Sequence, residues 1–301
     1  MADTAGMAQI RGINIQKLVE GYKDVGIVLK NYCRVSPCSA REIRWYVKDV
    51  ATTGAIPQTS GILTGPSTTG VTGSLIGNTS SGSLPVSIEN SYTRTTSYVK
   101  KYFAESPTLT IEDLNDCDPD VWGDIIRDSV RAVNYQIDAR ILVVLDANGC
   151  GTAAATGSGW NVDADGDPIQ DFLAAKESLK TYGYPTDNLV AYMNQAEEKW
   201  LMRWLINVKG SSIPQFSSDK VGNGKLLEVL GIKIVSSPLR PTDTVTIFNP
   251  DYAVIWKEFM PTQTAVVDDA GIGKKVRVWA EGEAIRPNPY AVFKITDTIG
   301  P

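Results

Sequence analysis

Apolar residues recur in several rhythms along this chain, and each rhythm predicts a different element. Ile15, Leu18, Tyr22, Val25, Leu29 and Tyr32 are spaced by three and four residues, which lays a narrow apolar stripe along a helix. Gly21 and Gly26 interrupt it, each at a cost of about 1 kcal/mol relative to Ala, so this helix needs a surface to dock on. After Pro37 the period falls to two. From a start near Arg41, Ile43, Trp45 and Val47 alternate with Arg44, Tyr46 and Lys48. Further on, Tyr92, Arg94, Thr96, Tyr98, Lys100 and Tyr102 alternate with Thr93, Thr95, Ser97, Val99, Lys101 and Phe103. Both runs predict strands. The helical period returns at Trp122, Ile126, Val130, Val133, Ile137, Ile141 and Val144. Asp118 is a good N-cap and Pro119 a good first helical residue. No Gly or Pro falls between Asp124 and Leu145, so a helix over 119–145 would run about 40 Å as a spine. Asp146-Ala147-Asn148-Gly149 ends it in a turn.

Shorter units follow. Residues 168–182 read as a helix with Ile169, Phe172, Leu173 and Leu179 inward, stopped by Gly183. A buried strand is expected over 189–193, a helix over 195–206 and a polar loop over 207–224. Strand patterns then occupy 226–230, 232–236, 245–248, 252–256, 264–267, 276–279 and 291–295. The class is α+β, with no internal repeat.

Between the first two strands lies a stretch of different composition. Residues 51–88 contain no Asp, Glu, Lys or Arg, and 22 of the 38 are Gly, Ser or Thr. Ordering the backbone costs roughly 1–2 kcal/mol per residue, whereas each fully buried aliphatic returns about 1.5–3 kcal/mol. The nine large aliphatics here (from Ile56 to Ile88) cannot offset that alone. A flexible linker or glycosylated stalk would have the same composition. Matched strands on both sides favour a protruding β-hairpin whose uncharged tip lies on another protein surface.

Composition removes whole classes of chemistry. The chain has no histidine, which excludes Ser-His-Asp and Cys-His catalysis and every His-ligated metal site. Adjacent carboxylates at Glu197-Glu198 and Asp268-Asp269 point apart on either element type, so no catalytic pair is expected. A net charge of −5 without runs of either sign argues against affinity built on phosphate neutralisation. Cys33, Cys38, Cys117 and Cys150 lack zinc-site spacing and are too few for a disulfide framework. Buried thiols are the expectation, with an intersubunit disulfide through Cys33 or Cys38 as the other reading. No apolar run is long enough to cross a membrane and no secretory signal is visible, which implies synthesis in a cytoplasm.

Asn161-Val162-Asp163-Ala164-Asp165-Gly166 matches the first half of a calcium loop, but Phe172 stands where a bidentate Glu is needed, with Asp171 one place earlier. A polar turn leading to Asp167 as N-cap and Pro168 as first helical residue explains the same residues, and at most weak calcium binding is expected. The seven Trp residues are scattered, which suits packing better than sugar or base stacking. Asn78-Thr79-Ser80 is a glycosylation triplet without a secretory route, and Gly149-Cys150-Gly151 lacks the third glycine of a phosphate loop. No catalytic, cofactor-binding or metal residue is assigned.

The order of parts resembles the major capsid proteins of tailed viruses, the Hong Kong ninety-seven fold. The segment 106–114 (SPTLTIEDL) precedes the spine as the family's does, and Asp138 falls where the family often has an acidic residue late in that helix. Residues 230–239 (LGIKIVSSPL) look like the family's strand entering a Pro turn, and 285–295 (IRPNPYAVFKI) look like its terminal strand. The resemblance implies an N-terminal arm over 1–40 and an extended loop hairpin over 41–106. It also implies a peripheral domain from 107–150 with 251–301, and an axial domain over 151–250. It further implies a subunit that forms hexamers and pentamers of an icosahedral shell around double-stranded DNA, in a virion assembled in the host cytoplasm. A separate scaffolding protein, a portal and a cement protein are the implied partners, without sequence-specific DNA binding, membrane or cofactor. The family's cross-link uses a Lys, an Asn and a Glu; Lys100, Lys101, Asn78 and Glu89 are available, but no motif selects among them. Two alternatives are the encapsulin nanocompartment shell, which shares the fold, and an extracellular carbohydrate-active protein.

Overall fold

The computed structural model describes residues 29–48, 92–116, 121–147, 151–207 and 228–300. Helix α2 (Val121–Leu145) is the long element of the fold, as its uninterrupted periodicity predicts; the expected start at Asp118 and Pro119 lies outside the described residues. Its buried residues Val133, Ile137, Ile141, Leu142 and Leu145 form one continuous stripe. Ahead of it stands a short helix, α1 (Ile111–Asp116), where the Thr110 hydroxyl accepts the Asp113 amide at 3.1 Å.

The α2 stripe packs on a five-stranded sheet. It contains β1 (Arg34–Pro37), β4 (Lys100–Glu105), β11 (Ile255–Asp269) and β12 (Gly273–Ile285) in the order β1-β11-β12-β4, with β5 (Leu109–Thr110) also on β12. Val276, Val278, Ala280 and Ala284 of β12, Tyr102 of β4 and Trp256 of β11 share one core with the helix. The separate strands expected over 252–256, 264–267 and 276–279 are parts of one long hairpin. Residues 252–254 form a turn ahead of β11. The register between β11 and β12 shifts around Met260 and Gln263, where Pro261 has no amide for the ladder. That irregularity hides the continuity of the strand from period counting. At Gly273 an added Cβ would stand 1.8 Å from the Leu109 carbonyl oxygen, so only glycine lets β5 lie against β12.

The second sheet has six strands in the order β6-β13-β10-β7-β9-β8. These are β6 (Gly151–Ala154), β7 (Leu189–Met193), β8 (Glu228–Val229), β9 (Ile232–Ser236), β10 (Thr244–Phe248) and β13 (Val292–Thr296). It is covered on both faces. Val190 and Tyr192 of β7 and Phe248 of β10 belong to the core shared with α2. Leu189, Ala191, Met193 and Ile247 point into a second core with α3 (Pro168–Thr181) and α4 (Gln195–Asn207). Burial on both faces is why β7 is apolar at every position.

Several expectations need correction. The terminal strand, placed by the resemblance with the spine helix, pairs with β10 and β6 and so belongs to the second sheet. It begins at Val292, because Pro289–Ala291 form a 3-10 turn. Leu173 is exposed, since Phe172, Ala175 and Leu179 define the buried line of α3 and Leu173 sits about 100° round from Phe172. Tyr182 caps α3 and Gly183, at φ 79°, stops it as expected. The single alternating run over 92–103 is two strands: β3 (Tyr92–Tyr98) pairs only with β2 (Glu42–Lys48), while β4 joins β12. Between them the Val99 amide donates to the Arg41 carbonyl at 2.9 Å. The β2–β3 ribbon confirms strands on both sides of the uncharged stretch, which itself lies outside the described residues. The apolar stripe from Ile15 is described only at its end, where Leu29–Tyr32 form a 3-10 turn. Most of the 207–224 loop is likewise outside them.

Candidate functional site

The residues with catalytic or metal-binding promise are spent on structure. Glu197 is fully buried on α4 and accepts the Asp243 amide, while Glu198 is half-exposed. Asp268 lies on the exposed hairpin with the Lys274 ammonium 4.0 Å away. The loop from Asn161 is closed by protein partners. Asn161 Oδ1 accepts the Gly300 amide at 2.7 Å, Asp163 pairs with Arg203 at 2.7 Å, and Asp165 accepts from Ser158 Oγ at 2.9 Å. Asp167 is the N-cap of α3, accepting the Ile169 and Gln170 amides at 3.1 Å, with Pro168 first in the helix. Asp171 is buried and takes three donors: Thr156 N at 2.9 Å, Thr156 Oγ1 at 2.6 Å and Trp160 Nε1 at 2.7 Å. Among the described residues no three His, Cys, Asp or Glu side chains converge as a metal site would require.

Cys33 is partly buried against the first core, and burial, with the Asp138 carboxylate nearby, pushes its thiol up to about 12. Cys38 Sγ donates to the Ala40 carbonyl at 2.9 Å, and both thiols are free. Cys117 and Cys150 lie outside the described residues, as do Asn78 and Glu89, Thr79 and Ser80, and Gly149. Lys100 and Lys101 are exposed on β4, and Lys101 Nζ stands 5.8 Å from the Phe103 ring and 5.7 Å from that of Trp279. Trp160, Trp204 and Trp256 are buried in the two cores.

What the geometry builds instead is a polar seam along the spine helix. Asp138, buried on α2, accepts the Leu29 amide at 3.2 Å and the Lys30 amide at 3.0 Å, fixing the point where the N-terminal segment enters the fold. Arg140 Nε donates to the buried Glu283 of β12 at 2.8 Å. At the helix C-terminus Asp146 pairs with the buried Arg240 and accepts from Thr246 Oγ1 at 2.8 Å, which ties α2 to β10. Arg286 Nη1 donates to the Leu145 and Ala147 carbonyls at 3.2 and 2.7 Å, placing positive charge at the negative end of the helix dipole. Sequence reasoning singled out Asp138 by resemblance but missed Asp146 and Arg240, whose only signal was a charged residue beside each turn.

The seam ties the helix to both sheets while apolar side chains remain outside. Tyr46 and Tyr98 are exposed on the β2–β3 ribbon beside Arg44 and Arg94. Val266 and Ile272 are exposed toward the end of the β11–β12 hairpin, and Tyr135 and Val143 on the outer side of α2.

Solved structures share the architecture. The chain is similar to a structure titled "Mycobacterium phage Che8" at 14% identity, over 94% of this chain and 96% of that one, with a TM-score of 0.65. A capsid structure of the cyanophage P-SCSP1u matches at 13% identity over 98% and 92%, also at 0.65. The capsid of a native GTA particle matches at 11% over 97% of each chain, at 0.66. No curated protein matches in sequence. These likenesses define the Hong Kong ninety-seven class of capsid fold. A family model described as phage capsid protein matches residues 93–295, and the chain belongs to that family. It is a structural capsid subunit.

Proposed function

We propose that the chain is the major subunit of a closed icosahedral shell, assembling as hexamers and pentamers around double-stranded DNA in the host cytoplasm, and that it has no enzymatic activity. The observation that carries this reading is the β2–β3 ribbon. A two-stranded ribbon is marginal in water, and this one carries the uncharged 51–88 stretch and an exposed Tyr-Arg face, so neighbouring subunits supply the missing contacts. Structures similar to it include capsids, which supports self-association. The family match to phage capsid protein favours a viral shell over the encapsulin and carbohydrate-active alternatives. A separate scaffolding protein, a portal and a cement protein complete the proposed partners, and the arm, extended loop, peripheral and axial divisions stand as the proposed working parts, with β13 counted in the axial part because it pairs with β6 and β10.

The test replaces residues 62–84 with a short turn and follows assembly, with a scaffolding protein present, by electron microscopy. Intact chain should give closed particles or capsomers, and the shortened chain should stay folded but give none or fragile ones. Shortened chains that form shells as stable as the intact ones would overturn the role of the ribbon. A monodisperse intact monomer that turns over a substrate would overturn the shell.

A further inference from the structure

Three polar atoms in the first core are buried and have no hydrogen-bond partner among the described residues: the Tyr102 hydroxyl of β4, Trp256 Nε1 of β11 and Glu283 Oε2 of β12. All three residues are buried, Glu283 completely. A buried polar group left unbonded loses its hydration without return, so native folds pair nearly all of them.

The three groups share one patch of the five-stranded sheet. Tyr102 stands opposite Ala280 and Trp256 opposite Ala284, on either side of β12. Their rings are 5.8 Å apart between centroids and tilted by 47°. Gly282 lies between those two β12 positions, and a Cβ added there would stand 2.9 Å from Trp256 Cε2, the carbon that carries Nε1. The indole nitrogen is therefore beside the residue that precedes Glu283. Arg140 reaches Glu283 from α2, so this carboxylate is on the helix side of the sheet with both rings. Both guanidinium contacts fall on Oε1, which leaves Oε2 free of the arginine. Ala280, Gly282 and Ala284 put no bulk on the strand beneath the rings.

We propose that this patch holds one internal water molecule, which accepts from the Tyr102 hydroxyl and Trp256 Nε1 and donates to Glu283 Oε2. The chemistry of the three groups selects water over other small ligands. An indole N–H only donates and a carboxylate oxygen only accepts. The Tyr102 phenol is raised by burial and by the Glu283 carboxylate, against Arg140, so it keeps its proton and donates as well. A cation would meet two donors, and an anion would meet Glu283 Oε2. Arg140 already balances the charge of Glu283. Water accepts two bonds and donates two, and three of these four are met here, as is usual for a buried water. With it in place, a hydrogen-bonded path runs from α2 through Arg140 and Glu283 to β4 and β11, so the helix is tied to three strands at one point.

The test is a crystal structure of the unassembled subunit, resolved finely enough to show ordered solvent, together with water NOE spectra of the subunit carrying isotope-labelled tryptophan. A single density peak should lie within hydrogen-bond reach of all three atoms. The Trp256 indole proton, assigned by its loss in Trp256→Phe, should give a water cross-peak several-fold stronger than those of Trp160 and Trp204. Those two indoles are internal controls, since they donate to Asp171 Oδ2 at 2.7 Å and to the Gly166 carbonyl at 2.6 Å. Tyr102→Phe keeps the ring and removes one donor, so it should weaken both the density and the cross-peak several-fold. Density in which the three groups bond to one another or to another side chain overturns the proposal, as does a peak coordinated like an ion. A Trp256 cross-peak no stronger than the controls overturns it too. If Tyr102→Phe does not fold, the two measurements on the unaltered chain decide. None of them needs shell formation, so the proposal stands or falls apart from the capsid reading.

Discussion

Arg240 and Asp146 form an ion pair in which the arginine side chain is fully buried, and through it the C-terminal end of the spine helix is bound to the turn that precedes β10. A second tie runs from Asp146 to the Thr246 hydroxyl, so one carboxylate serves two elements that are 94 and 100 residues away. Removing one partner of such a pair leaves a buried charge unmatched, a loss of about 3–5 kcal/mol. Asp146→Ala should therefore lower the urea midpoint of the unassembled subunit by that equivalent. Replacing both residues with apolar ones of similar volume should recover much of it, and a double-mutant cycle reads the coupling.

Asp138 makes a narrower contribution. Asp138→Ala removes the acceptor for two backbone amides, at about 1–3 kcal/mol for unsatisfied donors. Hydrogen exchange should show the loss first at Leu29 and Lys30, ahead of any change in β7.

Alkaline pH should weaken the fold. Burial raises the Cys33 thiol from 9.0 to about 12 and the Tyr192 phenol from 10.0 to about 12, and it raises Tyr102 as well. Each group stays protonated in the folded chain at a pH where the unfolded chain releases the proton. Stability is therefore fully present below about pH 9 and falls as pH rises toward 12, by about 1.4 kcal/mol per pH unit for each retained proton. Urea midpoints at pH 8 and pH 10.5 should differ accordingly, and Tyr192→Phe should flatten the slope.

In the 161–171 loop the two acidic positions should behave differently. Asp171→Ala strands three donors around a buried site and should cost about 3 kcal/mol or more, with a shift in Trp160 emission. Asp163→Ala breaks an exposed pair with Arg203, about 0–1 kcal/mol. Calcium should bind weakly, if at all, and calorimetry showing submillimolar affinity abolished by Asp163→Ala would reassign the loop to an ion.

The parts of the fold legible in the sequence were those whose pattern is decided locally. Helix α2 and strand β7 follow from long unbroken periodicity and from an apolar run buried on both faces, and the N-cap at Asp167 follows from Asp-Pro ahead of a helical stripe. Strands β1 and β6 were not legible. Arg34–Pro37 and Gly151–Ala154 carry no alternation, and each exists because a parallel partner, β11 or β13, arrives from far along the chain. Leu173 misled because a helical stripe four residues wide admits two neighbours, and only the position of the sheet chooses between them. The polar seam was least visible, since Asp146 and Arg240 acquire meaning only once two distant turns meet.

Those two parallel pairings also govern when the subunit can exist. Arg34 lies beside Ile255 and Gly151 beside Phe293, so neither sheet can close until the later partner of each pair has been made. Pairings that bridge such separations are slow to find because the intervening loop must close first. A nascent chain therefore lacks the partners of β1 and β6 until residues 255–258 and 292–296 have been made. A ribosome that stalls before Val292 yields chains without the strand that joins β6 to β10.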